Sequence, residues 1–349
     1  MYIYIILLFL FLLLWHFEKN ENSLRIVTLA FFCVLIIFCF RDYSVGVDTI
    51  GYIEEYKLGT SFDRSIDKGF AYYNQFLFFL GVPARLFLVL TSFLICFPVY
   101  FYIKGMAYKK MFAYILYVLI GTFSMHLSGM RQSMAMGFSL LGLYLAMHFH
   151  KPVYRFGILV ISVLLASSFH NSANICFLYI PLIWLANKKM KLSKAFLLSS
   201  FLIPLIFPLT QIPQYLVNEF MVEKYDNYEI GSQNINIIAF FVIPYVIFAY
   251  TTFLMLKTKG INSNDKIGYF CSLMFAVSAA SSLYMPMLAR IGYYFSLPTL
   301  VLVANLTSRQ PTVVRKNFSF LIIFIGLIFF FVSIDGGIMK IDNYKFSLE

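Results

Sequence analysis

Long runs of apolar residues, separated by short polar joints, are the dominant pattern along this chain. Runs of roughly membrane-spanning length occur near 2–17, 24–40, 86–103, 111–127, 132–149, 156–170, 173–186, 195–210, 235–256, 267–287, 291–307 and 318–334. Apolar residues occupy every face of these runs, so they do not read as the alternating strands of an outer-membrane barrel. The pattern predicts an all-α, polytopic transmembrane helical bundle of about 12 helices (11–13), forming one integral membrane domain over 1–349. The first run has no preceding Lys or Arg and no small-residue cleavage site after it, so it reads as a retained span. The run at 69–81, "GFAYYNQFLFFLG", is too short to span and is expected to lie in the interface or dip in from one side.

Composition agrees. The chain of 349 residues is 61% hydrophobic and only 12% charged, about half the charge of an average soluble chain. The net charge of +11 is no argument for nucleic acid, because the basic residues lie in short joints where they set topology. The joints at 18–25, 104–110, 150–155, 187–194, 257–266 and 308–317 hold 17 of the 27 Lys and Arg and only three acids. The opposite side holds ten basic and thirteen acidic residues. The positive-inside rule makes the first side cytoplasmic and puts both termini outside. Two long joints, 41–85 and 211–235, then lie outside, and long loops in a compact protein are usually functional. The five cysteines all sit inside apolar runs and read as small buried hydrophobes.

Against this background a few polar residues stand out at the outer level. Arg41 opens the long loop as "FRDYSVGVDTIGY", Arg131 lies in "SGMRQSMAMGF", and Arg290 interrupts an apolar stretch in "MPMLARIGYYF". His170 ends a run in "SSFHNSANI", and His126 precedes Arg131 in "SMHLSG". An arginine near hydrocarbon is costly, on the order of 3 kcal/mol at mid-helix, and something must offset that cost. A lone interfacial arginine can simply snorkel. Three on the side the charge rule disfavours, of which only Arg41 has an acid as its sequence neighbour, point instead to a site for a phosphorylated lipid, because guanidinium groups grip phosphate oxygens in bidentate fashion. Arg64 and Arg85 read as a loop charge and a helix-start anchor, and Asp48 as the N-cap of a helix over 49–57. Phosphate-loop, metal-ligand and nucleophile-elbow motifs are absent, so no metal and no cofactor is expected and the substrate must carry the energy of the reaction.

Five patches in order resemble one known family. They are Arg41 with Gly46, Asp48 and Tyr52; "KGFAYYNQF", Lys68 to Phe76; "MRQSMA", Met130 to Ala135; "FHNSA", Phe169 to Ala173; and "RIGYYF", Arg290 to Phe295. In these the chain resembles the EpsG-like branch of the Wzy-type polysaccharide polymerases. The aromatic tail "NYKFSLE" is a weaker likeness. The resemblance implies a GT-C-like enzyme of the bacterial inner membrane, with its active site facing the periplasm. It would join undecaprenyl-diphosphate-linked oligosaccharide repeats of an O-antigen, capsule or exopolysaccharide. It also implies membrane lipid and a chain-length regulator of the Wzz type as partners, and no nucleic acid. On that reading Arg131, Arg290 and Arg41 stabilise the departing diphosphate. His170 is the general base, for which its ordinary pKa near 6.5 suits it, with Asp48 as the competing base. Tyr52, His126, Gln132, Asn171 and Tyr293 would bind glycan hydroxyls or phosphate. Three other readings share the substrate: a flippase, an acyltransferase and an O-antigen ligase. The flippase is disfavoured by the lack of internal repeats and of charges deep in several helices.

Overall fold

Within its described residues, each apolar run of the sequence forms helix. The structure is a computed structural model that describes residues 2–19, 21, 23–59, 67–188, 234–281, 287–335 and 339–347. The run at 195–210, Arg64, most of the 211–235 loop and Lys189, Lys191 and Lys194 lie outside them. In chain order the helices are α1 (Tyr2–Phe17), α2 (Ser23–Cys39), α3 (Thr49–Leu58), α4 (Lys68–Phe79), α5 (Ala84–Met106), α6 (Lys110–Leu119), α7 (Thr122–Ser128), α8 (Met130–His148) and α9 (Pro152–Phe169). A 3-10 helix (Asn171–Leu178) leads into α10 (Tyr179–Ala186), followed by α11 (Asn234–Lys257), α12 (Ser263–Ser281), α13 (Met287–Ser308) and α14 (Thr312–Asp335).

Fourteen α-helices are therefore present among the described residues, more than the expected twelve. The excess has two physical causes. The 41–85 loop folds its own pair, α3 and α4. The run at 111–127 breaks at Gly121, whose φ of 76° is open to glycine but strained for other residues, and the two pieces, α6 and α7, bend by 61°. By length and composition α5, α9, the Arg290–Ser308 part of α13 and α14 can cross a membrane, and the bent pair would make a fifth span. Helices α1, α2, the 3-10 segment with α10, and the Val242–Lys257 part of α11 are apolar but shorter.

The chain divides into two compact units, residues 1–181 with 311–349, and residues 182–310. At the centre of the first lies α6, buried along Met111–Leu119 and packed by α1, α2, α5, α7 and α14. The outer faces of α1, α2, α9 and α14 expose Phe9, Phe32, Ile161 and Phe320, as a lipid-facing surface requires. Among the described residues of the second unit, α11, α12 and α13 pack together.

Joints assigned to one side of the membrane meet one another. The Glu18 carboxylate accepts the Lys110 backbone N–H at 3.0 Å, joining the first two basic joints. In the second unit Arg309 grips Asp265 with both Nη atoms, at 2.7 and 3.0 Å, and Lys266 donates to the Lys188 carbonyl at 3.1 Å. Asp265 also caps its own helix, accepting the Asn262 N–H while Asn262 Oδ1 accepts the Asp265 N–H.

At the other end of the first unit the C-terminal tail straps down the loop that follows α2. Asp42 donates its N–H to the Lys345 carbonyl (2.9 Å), Ser347 to Phe40 (3.0 Å) and Gly46 to Lys340 (2.8 Å). Arg41 and Phe346 form an antiparallel bridge. The Tyr344 hydroxyl donates to the Ile37 carbonyl at 2.8 Å, and its ring meets Tyr4 edge-on. Beneath this strap Arg41 is wholly buried. Its Nη1 donates to the Phe38 carbonyl at 2.8 Å, placing positive charge at the negative end of α2. Arg85, starting α5, donates to the Arg41 carbonyl at 2.8 Å and lies over the Tyr43 ring. Burial pulls the Arg41 guanidinium down to about 10, so it is still protonated at neutral pH.

Tyr344→Phe removes one hydrogen bond to a helix-end carbonyl and is expected to cost about 1 kcal/mol, a small drop in melting temperature in detergent. Deleting residues 339–349 exposes Arg41 and is expected to lower the melting temperature further. An unchanged melting point in the deletion would show that the strap contributes nothing to stability.

Candidate active site

The short sequence between α2 and α3 is shaped by one close approach. Gly46 has a φ of 94°, and a Cβ there would sit 2.7 Å from the Leu127 carbonyl oxygen and 3.1 Å from Ser128 Cα. Only glycine lets the loop lie flat on the junction of α7 and α8. The contact is fastened by the Val47 N–H to Ser128 Oγ (3.2 Å) and the Asp48 N–H to the Ser128 carbonyl (3.4 Å). Asp48 precedes α3 as expected of an N-cap, yet its side chain makes no capping bond. Its carboxylate lies instead beside Gly129, with Oδ2 3.9 Å from where a Cβ would be on that glycine.

Gly129 is the N-cap of α8 and has no side chain with which to cap it. The start of α8 therefore sets the positive end of the helix dipole beside the Asp48 carboxylate. Arg131 stands in this first turn. Its Nε donates to the Tyr52 hydroxyl and its Nη1 to Asp67 Oδ2. Tyr52 comes from α3 and is itself held edge-on against Phe70 of α4 (5.1 Å). The Arg131 side chain is 21% exposed whereas Asp67 is 6% exposed, so the guanidinium reaches outward while its acid partner lies beneath. The other Asp67 oxygen, Oδ1, is buried without a hydrogen-bond partner, as are Thr49 Oγ1 and both amide atoms of Asn74. Asp67, Phe70 and Asn74 recur at helical spacing and form a buried face of α4 and the residue that precedes it.

The start of α4 also touches the end of α9. A Cβ on Gly69 would sit 2.2 Å from Ser168 Oγ, and Tyr73 and Phe169 have ring centroids 6.2 Å apart. His170 follows directly, half-buried, as the N-cap of the 3-10 helix. Its Nδ1 accepts the Ser172 backbone N–H at 3.3 Å and lies 2.6 Å from Ser172 Oγ. With Nδ1 accepting, the neutral ring carries its proton on Nε2 and offers a donor there.

The structure thus gathers Arg131, Tyr52 and Asp48 around the α7–α8 junction, with His170 on the far side of the α4 start. Gln132 is buried in the first turn of α8, and Asn171 is exposed beside His170. His126 is buried inside α7, with Nδ1 3.0 Å from the Tyr117 hydroxyl and Nε2 without a partner. Arg41 is fully covered by the C-terminal strap, so any contact with a headgroup needs the strap to lift. Arg290, exposed, and Tyr293, buried, belong to α13 in the second unit. Asp67 is the residue that sequence reasoning missed. The expectation that no acid accompanies Arg131 fails, because its partner lies 64 residues away in the chain. Among the described residues no three His, Cys, Asp or Glu side chains gather as a metal site.

A model of the EpsG family matches residues 24–346. The chain belongs to the EpsG family. No curated protein and no solved structure matches it. The EpsG match runs from the start of α2 to the strap, so it takes in all of the residues just described. EpsG membership points to a membrane protein that polymerises polysaccharide.

Gly46→Ala is expected to be damaging twice over, once from its left-handed backbone, about 1–2 kcal/mol, and once from the clash with Leu127. Polymer yield per unit of membrane-inserted protein should fall sharply, while Gly51→Ala, where the added methyl meets nothing, should leave it unchanged.

Proposed function

We propose that this EpsG-family protein is a polysaccharide polymerase of the GT-C type. It joins oligosaccharide repeats carried on undecaprenyl diphosphate at the outer face of the inner membrane, without a metal ion. The observation that carries this reading is Arg131. A partly exposed guanidinium in the uncapped first turn of a helix, oriented by a phenol and a carboxylate, suits an oxyanion that arrives with a lipid. The preference of the basic joints for the opposite side supports an outward-facing site.

In the reaction a sugar hydroxyl of the acceptor forms a bond to the anomeric carbon of the donor. The bond from that carbon to the diphosphate oxygen breaks, and its electron pair leaves with the lipid diphosphate. Arg131 and the start of α8 stabilise the charge that collects there. The hydroxyl proton needs an acceptor. His170 was the first candidate on sequence, but its cap bond leaves Nε2 as a donor. The base role then passes to Asp48, whose carboxylate lies by the start of the Arg131 helix, and His170 donates to the leaving group or to a glycan hydroxyl. Tyr52, Gln132 and Asn171 supply hydrogen bonds to phosphate or glycan.

Deleting the gene is expected to leave single repeats in place of a ladder when the surface polysaccharide is run on a gel. Complete loss of the glycan would favour a flippase or ligase, and an intact ladder an acyltransferase. Arg131→Lys keeps the charge but loses the planar fork, and should cut polymer formation on the order of 100-fold with normal membrane insertion. Normal polymer from that variant removes Arg131 from the mechanism. Asp48→Asn should lower turnover by about 100-fold or more, with His170→Asn less damaging and His126→Ala less again. A larger loss at His170 than at Asp48 returns the base role to the histidine.

A further inference from the structure

Asp67 is not used by the mechanism above, yet it is bound to the mechanism's central cation. It stands at the N-cap position of α4 but makes no capping bond, because Oδ2 is given to Arg131. Its second oxygen is buried with no hydrogen-bond partner. A nearly buried carboxylate with one oxygen unserved is an unfavourable arrangement, since each lost bond to water goes uncompensated. Serine at the same place would start α4 at least as well. The carboxylate therefore earns its position through Arg131. A carboxylate and a phosphate present the same pair of oxygens to a guanidinium, so an anion already on Nη1 must compete with any phosphate that approaches.

We propose that Asp67 is a built-in stand-in for the lipid diphosphate: it holds the Arg131 fork in register while the site is empty, yields it when the headgroup binds, and reclaims it as the product leaves. The proposal rests on the reading of Arg131 as the diphosphate ligand. It makes Asp67 a positioning residue that lowers affinity for diphosphate and speeds release of the spent lipid. Tyr52 keeps the guanidinium plane fixed through Nε during the exchange.

The test uses the full-length protein in lipid nanodiscs, with geranylgeranyl diphosphate as probe. Asp67→Asn and Asp67→Ser, the second keeping a capping side chain for α4, should each bind the probe about tenfold more tightly than wild type. In polymerisation assays both should show a lower KM for the lipid-linked donor together with a lower kcat, and Asp67→Glu should restore both toward wild type. Unchanged or weaker binding in a variant that melts normally overturns the stand-in role and leaves Asp67 a structural partner. Arg131→Gln tests the reading underneath: it should weaken probe binding at least tenfold. Wild-type affinity in that variant would defeat the diphosphate assignment itself, whatever Asp67 does.

Discussion

The guanidinium of Arg131 is shared by a phenol from one short helix and a carboxylate at the start of the next, and one end of the first unit is organised around that sharing. A permanently charged group in so apolar a protein needs polar partners, and here they come from the 41–85 segment rather than from the long apolar helices. Tyr52 and Asp67 tie α3 and the start of α4 to α8. The same end of α4 leans on Ser168 and so on the turn that bears His170. α3 and the start of α4 thereby flank the start of α8.

The arginines that look alike in sequence do different work. Arg41 is buried at the carbonyl end of α2, where its charge meets the helix dipole and its backbone meets the C-terminal strap. Arg131 stands at the amino end of α8, where a second positive charge adds to the dipole instead of cancelling it. One charge is set against the carbonyl end of its own helix. The other arrangement sets a positive charge beside a positive helix end, where the Asp67 carboxylate holds it. Helix polarity, more than the identity of the residue, separates the two.

The sequence made the helices legible because an apolar stretch of spanning length has few other fates, and the grouping of joints by charge agrees with the Glu18–Lys110 and Asp265–Arg309 contacts. It also made visible the patches that carry Arg131, His170 and Asp48, because polar residues are conspicuous in so apolar a chain. It could not show Asp67, which sits in an ordinary-looking loop far along the chain from its partner. Nor could it show that Arg41 is covered, since the cover comes from Tyr344 and Phe346, near the opposite end of the polypeptide. The break at Gly121 was hidden because "LIGTF" reads as continuous apolar sequence, and only the left-handed backbone reveals it. The use of His170 Nδ1 as a cap was the most local of these features, since the serine that it serves is two residues on.

The strap has a temporal consequence. Tyr344 meets Ile37 across 307 residues of chain, so this contact closes a loop that contains nearly every helix. A ribosome feeding the protein into the bilayer releases α2 and the Arg41 loop long before their cover exists. The Arg41 loop therefore gains its fastening to residues 339–347 only after the helices between them have been made. Late closure is thereby built into the way this end of the first unit assembles.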